Sequence, residues 1–185
     1  MENNIVIKEL PEVLVASIRK KVENYEDLNE IFPEIVSSIR EENLTRATPN
    51  YCFIMYRDCE YKDIDLDIEV CEAVSELKKG KGKLKYKKFD KVEKAATLFH
   101  KGAHEKLPEL YSKIMDWIEE NGYVAVGLPR ESHVSGIKNE INSDNIFKEL
   151  SGWLDFGGTQ EESIPTKIKD KAYYQAMKNQ ILEDR

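Results

Sequence analysis

Histidine and cysteine are scarce in this chain, three of each among 185 residues. Cys52, Cys59 and Cys71 are odd in number and lack the paired spacing of a zinc site, so reduced thiols in the core are expected. No apolar run approaches the ~20 residues of a membrane span, and Met1 is followed by Glu2, Asn3 and Asn4 in place of a basic and then apolar leader. A cytoplasmic protein without a membrane partner is therefore expected. A basic surplus is also missing: a net charge of −7 and a pI near 5.2 leave no electrostatic footprint for direct contact with nucleic acid. The lysine-rich run "KKGKGKLKYKK" contains Gly80 and Gly82 but no G-x-x-x-x-G-K-[ST] pattern, so it reads as a solvated turn and strand face whose charges offset the acidic strand. No helix-turn-helix pattern precedes the first strand, expected at about 5–7, so any transcriptional output would need another chain.

What the chain does have is apolar residues, 41% of the total, enough for a substantial core. They are arranged as a repeat. "IKELPEVLVASIRKKVENYEDLNEIFPEIVSSI" and "YKKFDKVEKAATLFHKGAHEKLPELYSKIMDWI" superpose without a gap, setting Leu28 on Leu107, Ile31 on Leu110, Phe32 on Tyr111, Ile35 on Ile114 and Ile39 on Ile118. Three- and four-residue spacing predicts one amphipathic helix per copy, over 26–43 and 105–121. Pro108 suits a first helical turn, Pro33 is expected to kink or restart the first helix, and Gly122 suits a helix end. "VLVASIRKK", "AATLFHKG" and "YCFIMYRD" read as strands. "DIDLDIEVCEAV" alternates Ile64, Leu66, Ile68 and Val70 with Asp63, Asp65, Asp67 and Glu69, which predicts a half-buried antiparallel strand. The expected fold is α+β: two strand-helix-strand-strand units, about 4–74 and 83–160, sharing one antiparallel sheet with both helices on one face. Residues 161–185 are expected to add a helical extension.

Two similar halves leave a cleft where they meet, and ligands favour such places. In "PRESHVS", alternation puts Glu131, His133 and Ser135 on one side of a strand and Ser132 and Val134 on the other. A one-residue shift of the repeat sets Tyr51 and Phe53 on Glu131 and His133, so that two aromatics and a carboxylate face each other across the internal axis. That composition suits a bulky lipophilic cation. The competing reading is a surface carboxylate paired with a nearby Arg or Lys. A metal site built on His100, His104, Glu131 and His133 is disfavoured, because Gly102 interrupts the His-x3-His spacing; no metal and no cofactor are expected.

The run "HKGAHEKLPELYSKIMDWIEENGYVAVGLPRESHVSG", with its Gly102, Trp117 to Tyr123 and Arg130-Glu131, resembles the GyrI-like family, also found as the effector-binding domain of multidrug-responsive MerR- and AraC-type bacterial regulators. The resemblance covers residues 4 to 136. It implies a duplicated βαββ, SHS2-like fold with a ligand cleft at the pseudo-two-fold. Glu131 stands at the family's buried acidic position, which meets cationic drug-like ligands. Phe99, His104 and His133 stand at pocket-lining positions, and Trp153 matches a pocket aromatic of the last strand.

The family usually has tyrosines where this chain has His104 and His133. Some of its members open cyclopropane-containing cytotoxins with the glutamate and a tyrosine. With both phenols replaced, the resemblance favours a binder that senses or sequesters lipophilic cations over a hydrolase, in which Glu131 and His133 would be the catalytic pair. A further alternative is an interaction module acting on a protein partner, such as a gyrase-modulating protein.

Overall fold

A computed structural model describes residues 4–24, 27–49, 51–58, 64–101, 106–133 and 147–156. In chain order the elements are β1 (Ile5–Leu10), β2 (Val13–Val22), α1 (Leu28–Glu41), β3 (Cys52–Tyr56), β4 (Leu66–Ala73), β5 (Lys85–Phe89), β6 (Val92–Lys101), α2 (Leu107–Glu120), β7 (Tyr123–Ala125), β8 (Arg130–His133) and β9 (Phe147–Phe156). The strands form one antiparallel sheet in the order β1-β6-β9-β8-β3-β4-β2-β5, with β7 paired to β9 off this path. The fold is α+β. One half runs β2-α1-β3-β4 and the other β6-α2-β7-β8-β9, and they meet where β3 pairs with β8.

Leu28, Ile31, Phe32, Ile35 and Ile39 form the buried stripe of α1 and pack on Ile18, Ile54 and Val70. Leu107, Leu110, Ile114 and Ile118 do the same for α2 against Ala96 and Leu98. Directly paired residues of antiparallel strands share a sheet face. Ile18, Val70 and Ile54 are successive Cα partners, and the same line continues through Glu131 and Leu150 to Leu98, so both helices cover one face. Ile35 and Ile114 are both buried, as their aligned positions imply.

Several expectations are corrected. Both helices are shorter than their periodicity suggested. Pro33 does not restart α1, which runs unbroken from Leu28 to Glu41 although the missing N–H forgoes the bond to the carbonyl of Asn29. β4 begins at Leu66, because Asp65 takes a left-handed φ of 54° and Ile64 is exposed. Nor is β4 half-buried: lying between β3 and β2, it buries Glu69 and Cys71 as well as Ile68 and Val70. The repeat is also not gapless. The buried run Val15 to Ile18 of β2 matches Ala95 to Leu98 of β6, whereas Leu28 matches Leu107, so the second copy has one residue fewer between strand and helix. Cys52 and Cys71 are free, buried thiols, and burial raises the pKa of both. Cys59 and the extension at 161–185 lie outside the described residues.

Candidate functional site

Across the middle of the helix-covered face runs a row of Cα partners: Ile5, Leu98, Leu150, Glu131, Ile54, Val70 and Ile18. A single carboxylate stands at the centre of an otherwise apolar row. Glu131 is 1% exposed, and its Oε1 accepts a hydrogen bond from the Tyr111 hydroxyl at 2.8 Å. Tyr111 reaches it from α2, on the edge of the stripe carried by Leu107, Leu110 and Ile114. An ionised carboxylate among apolar neighbours is costly unless something meets its charge. The arrangement can therefore hold a cation against a carboxylate, or couple a phenol and a carboxylate in proton transfer.

The face away from the helices holds a buried cation, Arg130. There Val15, Phe53, Met55 and Cys71 form a separate cluster, packed against Tyr51, Phe89 and Leu128. Arg130, 1% exposed, lays its guanidinium 4.8 Å from the Phe53 ring centroid and 4.7 Å from that of Phe89, a stacked pairing a flat cation suits. Desolvation lowers its pKa from the ordinary arginine value, opposed by a contact with Tyr51. The Ser132 hydroxyl donates to Tyr51 Oη at 3.2 Å.

Tyr51 and Phe53 thus do not face Glu131. Phe53 pairs with Ser132 and Ile54 with Glu131, so the two aromatics share the face of Arg130 and Ser132. Phe99 is on that far side too, since its neighbour Leu98 enters the α2 core; it is 40% exposed, with Lys8 Nζ 5.4 Å from its ring. His133 pairs along the backbone with Lys148, and Trp153 with Ala95, while their side chains lie outside the described residues. His104 lies outside them altogether. Sequence reasoning missed Tyr111. The signal was present in the repeat, where it falls on Phe32: a tyrosine in a buried stripe carries a hydroxyl that needs a partner.

One antiparallel sheet, two helices on one face and a carboxylate held beneath them define an α+β binding domain. Residues 3–135 match the GyrI-like small molecule binding domain family, and the chain belongs to that family. The crystal structure of the EcmrR C-terminal domain is similar at 34% identity and a TM-score of 0.77, over 84% of this chain and 99% of that one. The EcmrR chain in a cryo-EM structure of an EcmrR–DNA complex matches at 34% identity and a TM-score of 0.76, over 82% of this chain but 57% of that one; this chain thus spans little more than half of its length. A hydrolase from Listeria innocua shares the fold at a TM-score of 0.60 and 9% identity, over 83% of this chain and 92% of that one. None of the curated proteins compared matches the chain. No helix among the described residues is long and apolar enough to cross a membrane.

Proposed function

We propose that this GyrI-like domain binds lipophilic, cationic, drug-like molecules at Glu131 and serves to sense or sequester them. The observation that carries the reading is the carboxylate buried at the centre of an apolar row beneath two helices. A hydrophobic cation supplies apolar area for the row and a charge for Glu131. Sensing draws support from EcmrR, a chain of 34% identity seen in complex with DNA. The first test is a thermal-shift screen with tetraphenylphosphonium and rhodamine dyes. A ligand at a hundred times its Kd adds about 2.7 kcal/mol of apparent stability. The second is calorimetry of one cationic and one neutral isosteric dye. Glu131→Gln keeps the shape and deletes the charge, so it is expected to cost the cation about 2 to 4 kcal/mol, roughly 30- to 1000-fold, and the neutral dye far less. Equal losses, or none for the cation, would return Glu131 to a structural role.

One observation favours a second reading, hydrolysis: the Tyr111 hydroxyl sits 2.8 Å from the carboxylate, a phenol–carboxylate pair supplied by α2 although His104 and His133 replace the expected tyrosines. Turnover of a cyclopropane-bearing cytotoxin, lost in both Tyr111→Phe and Glu131→Gln, would establish it. The binding reading expects no turnover.

A further inference from the structure

We propose that the outer edge of β5 docks an acidic, extended segment of a partner protein as an added strand. Among the described residues β1 and β5 are the edges of the sheet. The β1 ladder shifts register between Lys8 and Leu10, whereas β5 pairs with β2 in unbroken register from Lys85 to Phe89. Successive residues of a strand turn their backbone N–H and C=O alternately to its two sides. The Val74 N–H donates to the Leu14 carbonyl oxygen at 2.9 Å, so Leu14 and Ala16 turn to the β4 side, and Val13, Val15 and Ser17 to the β5 side. Phe89, Lys87 and Lys85 are the partners of those three, which leaves the N–H and C=O of Tyr86 and Lys88 facing outward from the sheet. Such an edge is a template for another strand.

Charge decides which strand it takes. In a chain with 35 acidic residues against 28 lysines and arginines, Lys87, Lys88 and Lys91 each find a carboxylate, at Glu69, Glu12 and Glu9. Lys79, Lys81, Lys83 and Lys85, which lead into β5 and open it, are all exposed, and among the described residues none of them forms an ion pair. A second copy of β5 would set lysine against lysine, so the edge is guarded against pairing with itself. An acidic strand meets the same lysines favourably and takes up the outward backbone groups as well. Nucleic acid would use the lysines but not the alternating donors and acceptors, and the net charge of −7 opposes its approach.

The test uses a fluorescein-labelled nonapeptide of alternating glutamate and valine, titrated by fluorescence anisotropy into the full chain. Binding is expected, and it weakens as salt rises. Lys79→Gln, Lys81→Gln, Lys83→Gln and Lys85→Gln combined are expected to cost roughly tenfold in affinity. Lys88→Pro removes an outward N–H without touching the β2 ladder, a place where an edge strand tolerates proline. It is expected to bind about three- to tenfold more weakly than Lys88→Ala, which loses the same charge but keeps the donor. A control on the peptide needs no folded variant: of two peptides N-methylated on alternate sets of amides, only the one whose methyl groups face away from β5 is expected to bind. No binding by the wild type, or equal binding of the two methylated peptides, overturns the proposal. Equal affinity of Lys88→Pro and Lys88→Ala overturns it as well. A wild type that binds a DNA duplex and not the peptide assigns the lysines to phosphate and refutes strand addition.

Discussion

Among the described residues, three carboxylates buried in this sheet meet different donors. Glu72, 0% exposed beneath α1, accepts from Arg46 Nε at 2.6 Å. Glu69, on the far face, pairs with Lys87 and Arg57, the Arg57 Nε standing 3.0 Å from Oε2. At Glu131 a phenol donates, that of Tyr111. The Glu69 case has a pH consequence. Burial acts to raise its pKa, but the hydrogen-bonded ion pairs with Lys87 and Arg57 outweigh that, and the net shift is downward. A carboxylate whose folded-state pKa lies below its unfolded value contributes stability that is fully present above the unfolded value, near 4.3 for glutamate, and is lost as pH falls through the folded value. Glu69→Gln is therefore expected to destabilise the domain by about 1–3 kcal/mol at pH 7 and to flatten the acid limb of its stability profile. Urea melts at pH 7 and pH 3 check this; a variant that loses as much stability on acidification as the wild type refutes the linkage.

At the scale of elements, what the sequence made legible was periodicity, and what it hid was parity between strands. The apolar stripes of α1 and α2 repeat every three to four residues and could be read directly, as Ile35 and Ile114 show. Alternation within β8 also separated Glu131 from Ser132 correctly. It could not say which β3 residues join Glu131, because a shift of one residue exchanges the faces of an entire strand. That one-residue shift occurs between β6 and α2, not in β8. Keeping the gapless alignment there sets Cys52 on Glu131, and Cys52 does lie on the helix face. Tyr111 stayed hidden for a different reason, since in an amphipathic stripe a tyrosine reads as one more apolar residue. The lysine-rich turn before β5 was legible as a turn, and two glycines account for its geometry. Gly82 has φ of +59°, and a Cβ on Gly80 would meet the Leu84 carbonyl oxygen at 2.5 Å. Gly82→Ala is expected to cost about 1 kcal/mol and Gly80→Ala more, because the second must displace backbone at the start of the edge strand. Amide exchange in Lys85–Phe89 is the readout, with protection falling further in Gly80→Ala than in Gly82→Ala.

For the whole molecule, two helical cores share one sheet. The α1 core includes Ile18, Ile54 and Val70 and the α2 core Ala96 and Leu98, and between them lies the β3–β8 pairing with Glu131 at its centre. A ligand at Glu131 therefore sits on the seam between the halves, and the strength of that seam decides whether they unfold together. Across the sheet, from the β1 edge through β6, β9, β8, β3, β4 and β2 to the β5 edge, each strand is joined to its neighbour by an antiparallel ladder. Arg130 adds a clasp on the other face, its guanidinium reaching from β8 to Phe53 of β3 and Phe89 of β5. Ile35→Ala and Ile114→Ala each remove a fully packed side chain and are expected to cost about 2–5 kcal/mol. They lie in separate cores with no shared neighbours, so in the double variant the costs should add to within about 0.5 kcal/mol. Cooperation through the sheet requires that either single change lower the midpoint of one common transition, seen identically by far-ultraviolet dichroism and by the fluorescence of Trp117 on α2 and Trp153 on β9. If Ile35→Ala instead splits the melt, leaving the tryptophan signal at its wild-type midpoint, the halves unfold independently, and a ligand bound at the seam would have to create their coupling.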